Sequence, residues 1–307
     1  MTVEGKRPEG PPAAQFYRHK VGEVELIALS DGGLNYPAAI ILGNVPPEGM
    51  AAYNLPEKQI FIWYTILLVR TPDGLLLNDV GAGDLGNPGD QTFPGLDHTT
   101  SRTNLVLPSL QAAGIDPDEI DSILITHAHP DHLGGLLDAE GNLIFSNAHY
   151  FIAKNEWAYW RSADPSTAEA EALREHLEGL IRDARRAFGA IEGKVTLVEG
   201  GEALLPGVRF EAAYGHTPGQ VMVSIEAGEH KIYNISDVVV HPLFLEHPEW
   251  SPAIDMDAGQ ADETRRRFYT RAAAENALVF GHHLGPFPNL GRIAAKGDAW
   301  QWQPLEV

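Results

Sequence analysis

The chain has 307 residues, 44% apolar and 21% charged, an ordinary globular composition that supports a large core without staples. It contains no cysteine, which excludes disulfides, thiolate metal sites and a cysteine nucleophile. A formal net charge of −20 repels phosphate backbones and anionic lipids, so neither nucleic acid nor a membrane surface is expected as a partner.

Residues 1–20 carry no apolar signal-like stretch, and no apolar run approaches the roughly 20 residues that cross a bilayer. The expected location is cytoplasmic, although a chain trimmed of a signal would read the same. The Pro- and Gly-rich start reads as an N-terminal arm over 1–21, followed by one domain over 22–307. "VGEVELIALSDGG" and "FIWYTILLVRTPDGLLLNDVGAG" read as strands, the second folded at Asp-Gly. Asn35–Tyr64 is apolar but loop-like, and such a surface, if exposed, marks a homodimer contact. "LPSLQAAG" predicts a helix with Pro108 in its first turn and Gly114 as its stop. "DSILIT" is a buried strand that delivers "HAHPDHLGG" on the loop at its end.

Further on, Leu173, Leu177, Leu180, Ile181, Ala184 and Phe188 share one face of a helix expected over 167–189. "KVTLV", "VRFEAAYGH", "VMVSIEAG" and "KIYNISD" are strand-like. "DETRRRFYTRAAAEN" is a second helix, on which Arg265–Arg267 read as a solvated face, and "ALVFGHH" is a last strand. Strands, helix, strands, helix suggests an α+β arrangement of sheets packed together with helices outside.

Three histidines and an aspartate crowd into His127–His132, and imidazole with carboxylate is the donor set of zinc and similar divalent metals. His127 and His129 can grip one ion, and Asp131 and His132 a second. Gly134 and Gly135 let the backbone pass the site closely. The cluster cannot complete two sites alone. His216, Asp237 and His283 each end a strand-like segment. Each alone reads as an ordinary cap or packing residue; beside the cluster each becomes a candidate ligand.

"THAHPDHLGG", "YGHTPGQ", "ISD" and "FGHH" together resemble the metallo-β-lactamase superfamily in order and spacing, from about Gly22 onward. "HPEWSPAIDMDAGQADETRRRF" and "VFGHHLGPFPNLGRI" look most like the branch of methyl parathion hydrolase and related lactonases. The resemblance implies a four-layer αββα sandwich of two mixed sheets, with a dinuclear metal site in a cleft between them. By carry-over, His127, His129 and His216 would hold one metal; Asp131, His132 and His283 the other; Asp237 would bridge. Gln220 stands where many relatives have a histidine that is not a ligand. Ser236 replaces a common glycine, with no evident consequence. His282 and His283 compete for the last position, and strand alternation favours His283.

Such a site implies two divalent transition metals, zinc first, with manganese, cobalt or iron as alternatives. A metal-bridging hydroxide would attack a small-molecule ester, and Asp131 is either a ligand only or also the proton donor to the leaving group. Phe61, Trp63, Trp157 and Trp160, with Phe244 and Phe287, are either cleft walls or core; as walls they suit a neutral, apolar substrate. The expected function is a lactonase with promiscuous arylesterase and phosphotriesterase activity. The alternatives are a primary organophosphate hydrolase and a diiron oxidoreductase of the same fold. His129, where the oxidoreductases carry glutamate, argues against the latter.

Overall fold

The computed structural model describes residues 12–85, 101–167 and 171–306. A first sheet orders its strands as they occur in the chain: β1 (Phe16–Val21), β2 (Val24–Pro37), β3 (Gln59–Thr71), β4 (Gly74–Asn78), β5 (Ser122–Ile125), β6 (His149–Ala153) and β7 (Val195–Val198). It is antiparallel from β1 to β4 and parallel from β4 to β7. The second sheet holds β8 (Ala203–Leu205), β9 (Val208–Ala212), β10 (Val221–Ala227), β11 (His230–Asn234), β12 (Leu278–Phe280), β13 (Leu290–Lys296) and β14 (Ala299–Pro304). Only its β11–β12 pair is parallel.

The helices are α1 (Ala38–Leu42), α2 (Pro47–Ala52), α3 (Val106–Ala112), α4 (Pro130–Leu133), α5 (Lys154–Ser162), α6 (Glu171–Ile191), α7 (Leu243–Glu246) and α8 (Ala258–Ala274). Strands β2 and β3 are buried on both faces, which explains the apolar runs Leu26–Leu29 and Ile66–Val69. Ile27, Leu29, Ile66 and Leu68 face a core shared with α3, α5 and α6. Leu26, Ala28, Leu67 and Val69 face the second sheet, against Val208, Phe210, Val223 and Ile232. Phe268, Tyr269 and Ala272 of α8 cover the outer face of that second sheet. The result is the expected αββα sandwich of two mixed sheets.

Several expectations need correction. Residues 16–21 pair in full register with β2 as an edge strand, so the arm expected over 1–21 is shorter; its residues 1–11 lie outside the described part. Helix α6 carries its apolar face inward through Leu177, Leu180, Ile181, Ala184 and Phe188. Of the beginning expected for it, Thr167 ends a separate 3-10 turn over Pro165–Thr167, while 168–170 and the Leu173 side chain fall outside what is described. Asn35–Tyr64 is not loop-like: β2 and β3 run on together, and Leu34, Ile41, Leu42, Ile60, Ile62 and Tyr64 form a core of their own. Arg265 is not on a solvated face but buried in an ion pair with Asp255 at 2.6 Å. Among the described residues, no helix is long and apolar enough to cross a membrane.

Candidate metal centre

The site forms where the two sheets meet at one end of the sandwich. Strand β5 stops at Ile125, and the chain turns through His127 and His129 into α4, which carries Asp131 and His132. Its fit is close. A Cβ on Gly134 would lie 2.3 Å from the Ala82 oxygen, and one on Gly135 would lie 2.1 Å from the Val80 oxygen. From the second sheet, the turn between β9 and β10 supplies His216, and its end is tied across by Val221 N–H to the Thr126 oxygen. Strands β11 and β12 run parallel with Asn234 opposite Phe280. Asp237 and His283 each follow three residues later, so the register brings both out at the same end.

All seven sequence-predicted ligand residues converge. His129 is half-buried and the other six are buried. Nδ1 of His129 lies 3.1 Å from Nε2 of His127 and 3.0 Å from Nε2 of His216. Nε2 of His283 lies 3.3 Å from Asp131 Oδ2 and 3.2 Å from Asp237 Oδ2. Asp237 sits between the two groups: Oδ1 is 3.1 Å from His132 Nε2, and Oδ2 is 3.4 Å from His216 Nε2.

These spacings fit divalent cations. Donors about 2.0–2.1 Å from a tetrahedral ion stand roughly 3.3 Å from one another. His132 Nε2 and Asp237 Oδ1 are buried 3.1 Å apart with no further partner, and His282 Nε2 is buried with none. Buried polar atoms so placed are costly unless something satisfies them, and a cation among them would do so.

The outward nitrogens are fixed as a metal site requires. His132 Nδ1 donates to Asp79 Oδ2 at 2.8 Å, His216 Nδ1 to Asp255 Oδ1 at 2.9 Å, and His283 Nδ1 to the Trp63 oxygen at 2.8 Å. Each ring therefore presents Nε2 inward. Asp79 also accepts from Thr126 N–H and Oγ1, and it holds a left-handed φ of 67°, a strained conformation that suits a functional position. The Asp255 carboxylate is held in turn by Arg265. His282 falls in the same group, with a ligand atom within 4.8 Å of those of Asp131, His132 and His283. Its ring is tilted at 4.2 Å from His132 and stacked at 5.6 Å from Tyr64, and its buried Nε2 has no hydrogen-bond partner.

Electrostatics agree with this division. Burial holds His127 well below the ordinary imidazole range and His129 at about 3, the neutral form that binds metal. Burial would also lower His283, but Asp237 and Asp131 raise it to about 9. Against the same effect of burial, Asp237, Asp79 and Asp131 raise His132. Burial alone would raise Asp131; His132 and His283 pull it down instead. Without cations, these two imidazoles carry the positive charge that the carboxylates demand.

The aromatic residues fare differently. Trp160 is fully buried, and Trp157 stacks on Phe188 of α6 at 4.4 Å, so both belong to the helical layer and are not cleft walls. Phe244 is fully buried, and Phe287 packs on the core between the sheets. Phe61 is buried and Trp63 half-buried, edge-to-face at 4.9 Å, beside the His283 tether. Ser236 takes a left-handed φ of 46°, a conformation glycine adopts without strain, so the replacement of glycine there has a backbone consequence after all. Its hydroxyl shares a 2.8 Å hydrogen bond with Thr126. The sequence reading missed Asp79, Asp255 and Arg265. Asp79 alone left a trace, as an acidic residue closing the apolar run "LLLND".

A family model described as the metallo-beta-lactamase superfamily matches residues 65–283. A solved structure described as AidC, a dizinc quorum-quenching lactonase in complex with a product, N-hexnoyl-L-homoserine, is 31% identical, with a TM-score of 0.83 over 96% of this chain and 98% of that one. The hydrolase AbOPH of the beta-lactamase superfamily is 25% identical, with a TM-score of 0.83 over 96% and 99%. A probable metal-dependent hydrolase from Staphylococcus aureus shares the fold at 22% identity, with a TM-score of 0.75 over 94% and 100%. Among proteins of curated function, none matches the sequence.

Proposed function

The chain belongs to the metallo-beta-lactamase superfamily, and on that premise we propose that it is a dinuclear metal-dependent hydrolase whose preferred substrate is a neutral lactone. The observation that carries the proposal is Asp237, whose two oxygens reach imidazoles of both ligand groups. His127, His129 and His216 would hold one divalent ion and Asp131, His132 and His283 the other, with zinc the first candidate. When bound, such a pair supplies Lewis acidity toward a carbonyl oxygen and lowers the pKa of water. Asp79, Asp255 and the Trp63 carbonyl keep the imidazoles aimed. Both of Asp131's contacts use Oδ2. Its Oδ1 takes the proton lost by the attacking water and returns it to the leaving alkoxide, which gives a hydroxy acid.

The lactone assignment draws on the likeness to the dizinc lactonase. Phe61 and Trp63 are the remaining candidates for an apolar wall. Arylesters and phosphotriesters present an oxygen of similar polarity and are slower, promiscuous substrates. The test is a hydrolysis panel. The expected order puts an N-acyl homoserine lactone above paraoxon-like triesters in kcat/KM, with little action on phosphate monoesters or β-lactams. Triesters turned over faster than every lactone and aryl ester would remove the lactonase reading and leave the metallohydrolase.

A homodimer belongs to the same proposal. Ile40, Val45, Met50, Tyr53 and Trp250 form a half-buried apolar rim around α1 and α2, which is the surface suited to a two-fold contact. Sedimentation at micromolar concentration is expected to give a dimer, and a monomer there removes this part.

A further inference from the structure

We propose that Glu156 is a positioning residue that clamps the loop of His127 and His129 to the loop of His216, joining donors from two different sheets into one unit. The inference rests on reading those histidines as metal ligands. Glu156 is fully buried in the first turn of α5, directly after β6 ends at Ala153. Its Oε1 accepts from Ala128 N–H at 2.9 Å and from Trp160 Nε1–H at 2.7 Å. Its Oε2 accepts from Thr217 Oγ1 at 2.7 Å and from Gly219 N–H at 2.9 Å. Ala128 lies between His127 and His129, and Thr217 follows His216 directly. One carboxylate thus spans both loops, one oxygen to each.

Two further observations agree. A Cβ on Gly219 would lie 2.1 Å from the Glu156 nitrogen, so the His216 loop rests directly on the start of α5. The Trp160 ring, held by the same carboxylate, lies 6.0 Å from the His129 ring. All four groups around the carboxylate donate, and a protonated acid would place a fifth hydrogen among them. Burial pushes the Glu156 pKa up, and the four donors pull it back. Glu156 itself contacts none of the seven proposed ligands through its carboxylate. It acts on them through the backbone of their neighbours, as partners of metal ligands commonly do.

Glu156→Gln keeps the shape but turns one acceptor into a donor facing two donors, so one loop is released. The test is cobalt(II) binding, followed by its visible absorption under chelator competition, in two backgrounds. In His283→Ala, the surviving site is that of His127, His129 and His216; there Glu156→Gln is expected to weaken cobalt binding about 10–100-fold and alter the spectrum. In His129→Ala, the surviving site is that of Asp131, His132 and His283, and the same change is expected to shift affinity by less than about threefold on the same scale. A merely structural role would weaken both sites together, and that result, or no change at either, overturns the proposal. Thr217→Val, which removes a single arm of the clamp, is expected to show the same selectivity at smaller size and decides the question if Glu156→Gln does not fold. Absence of cobalt uptake by the wild-type protein overturns the metal reading as well; uptake with unselective variants overturns this inference alone.

Discussion

His283→Ala is expected to lose one metal equivalent and roughly a thousandfold in kcat/KM, the several kcal/mol that a Lewis-acidic ion contributes to a charged transition state. The two adjacent histidines differ sharply in what they touch. Nε2 of His283 reaches Asp131 and Asp237, and its Nδ1 is fixed by the Trp63 carbonyl. Nε2 of His282 is unpartnered, and its ring packs on Tyr64 and His132. With the last ligand assigned to His283, His282→Phe keeps the ring packing and is expected to retain both ions and turnover within about tenfold. Metal content and lactone kinetics of the two variants check this. The reverse pattern would place the last ligand at His282.

The second large effect is on stability. Removing the ions with a strong chelator is expected to abolish turnover and lower the melting temperature by at least about 10 °C. Each ion at a thousandfold excess over its Kd contributes about 4 kcal/mol to the folded state, and about 1 kcal/mol moves a domain of this size by a few degrees. The metal-free protein should also be pH-sensitive in a defined direction. His283 is raised in the fold from 6.5 to about 9. A raised imidazole stabilises the fold fully below pH 6.5, and that contribution fades as pH rises through about 9. Ions would replace the proton, so the gap in melting temperature between loaded and metal-free protein widens from pH 6.5 to 9. Differential scanning calorimetry at several pH values measures it. A gap that narrows over that range would mean that protons and ions do not compete at these groups.

The ligand residues were legible because their chemistry is local: "HAHPDH" concentrates rare donors within six residues, and His216, Asp237 and His283 close strand-like runs. What held them was not. Asp79 reaches His132 across 53 positions, and Glu156 reaches Gly219 across 63, through pairings that no periodicity encodes. Arg265 looked solvated because it sits in "RRR", yet helix α8 turns it inward onto Asp255. The layers followed from the apolar runs, since β2 and β3 are buried on both faces. Trp157 and Trp160 stayed open between cleft wall and core because α5 was not foreseen: in a helix they point into α6 and the core.

Two ions, held by one converging set of seven residues, are proposed to perform the hydrolysis. The most direct measurement titrates zinc into metal-free protein while following ring opening of an N-acyl homoserine lactone. Activity is expected to rise to a break at two equivalents per chain, as the two histidine groups joined by Asp237 require. Full activity at one equivalent, or turnover that persists in the metal-free protein, would contradict the account.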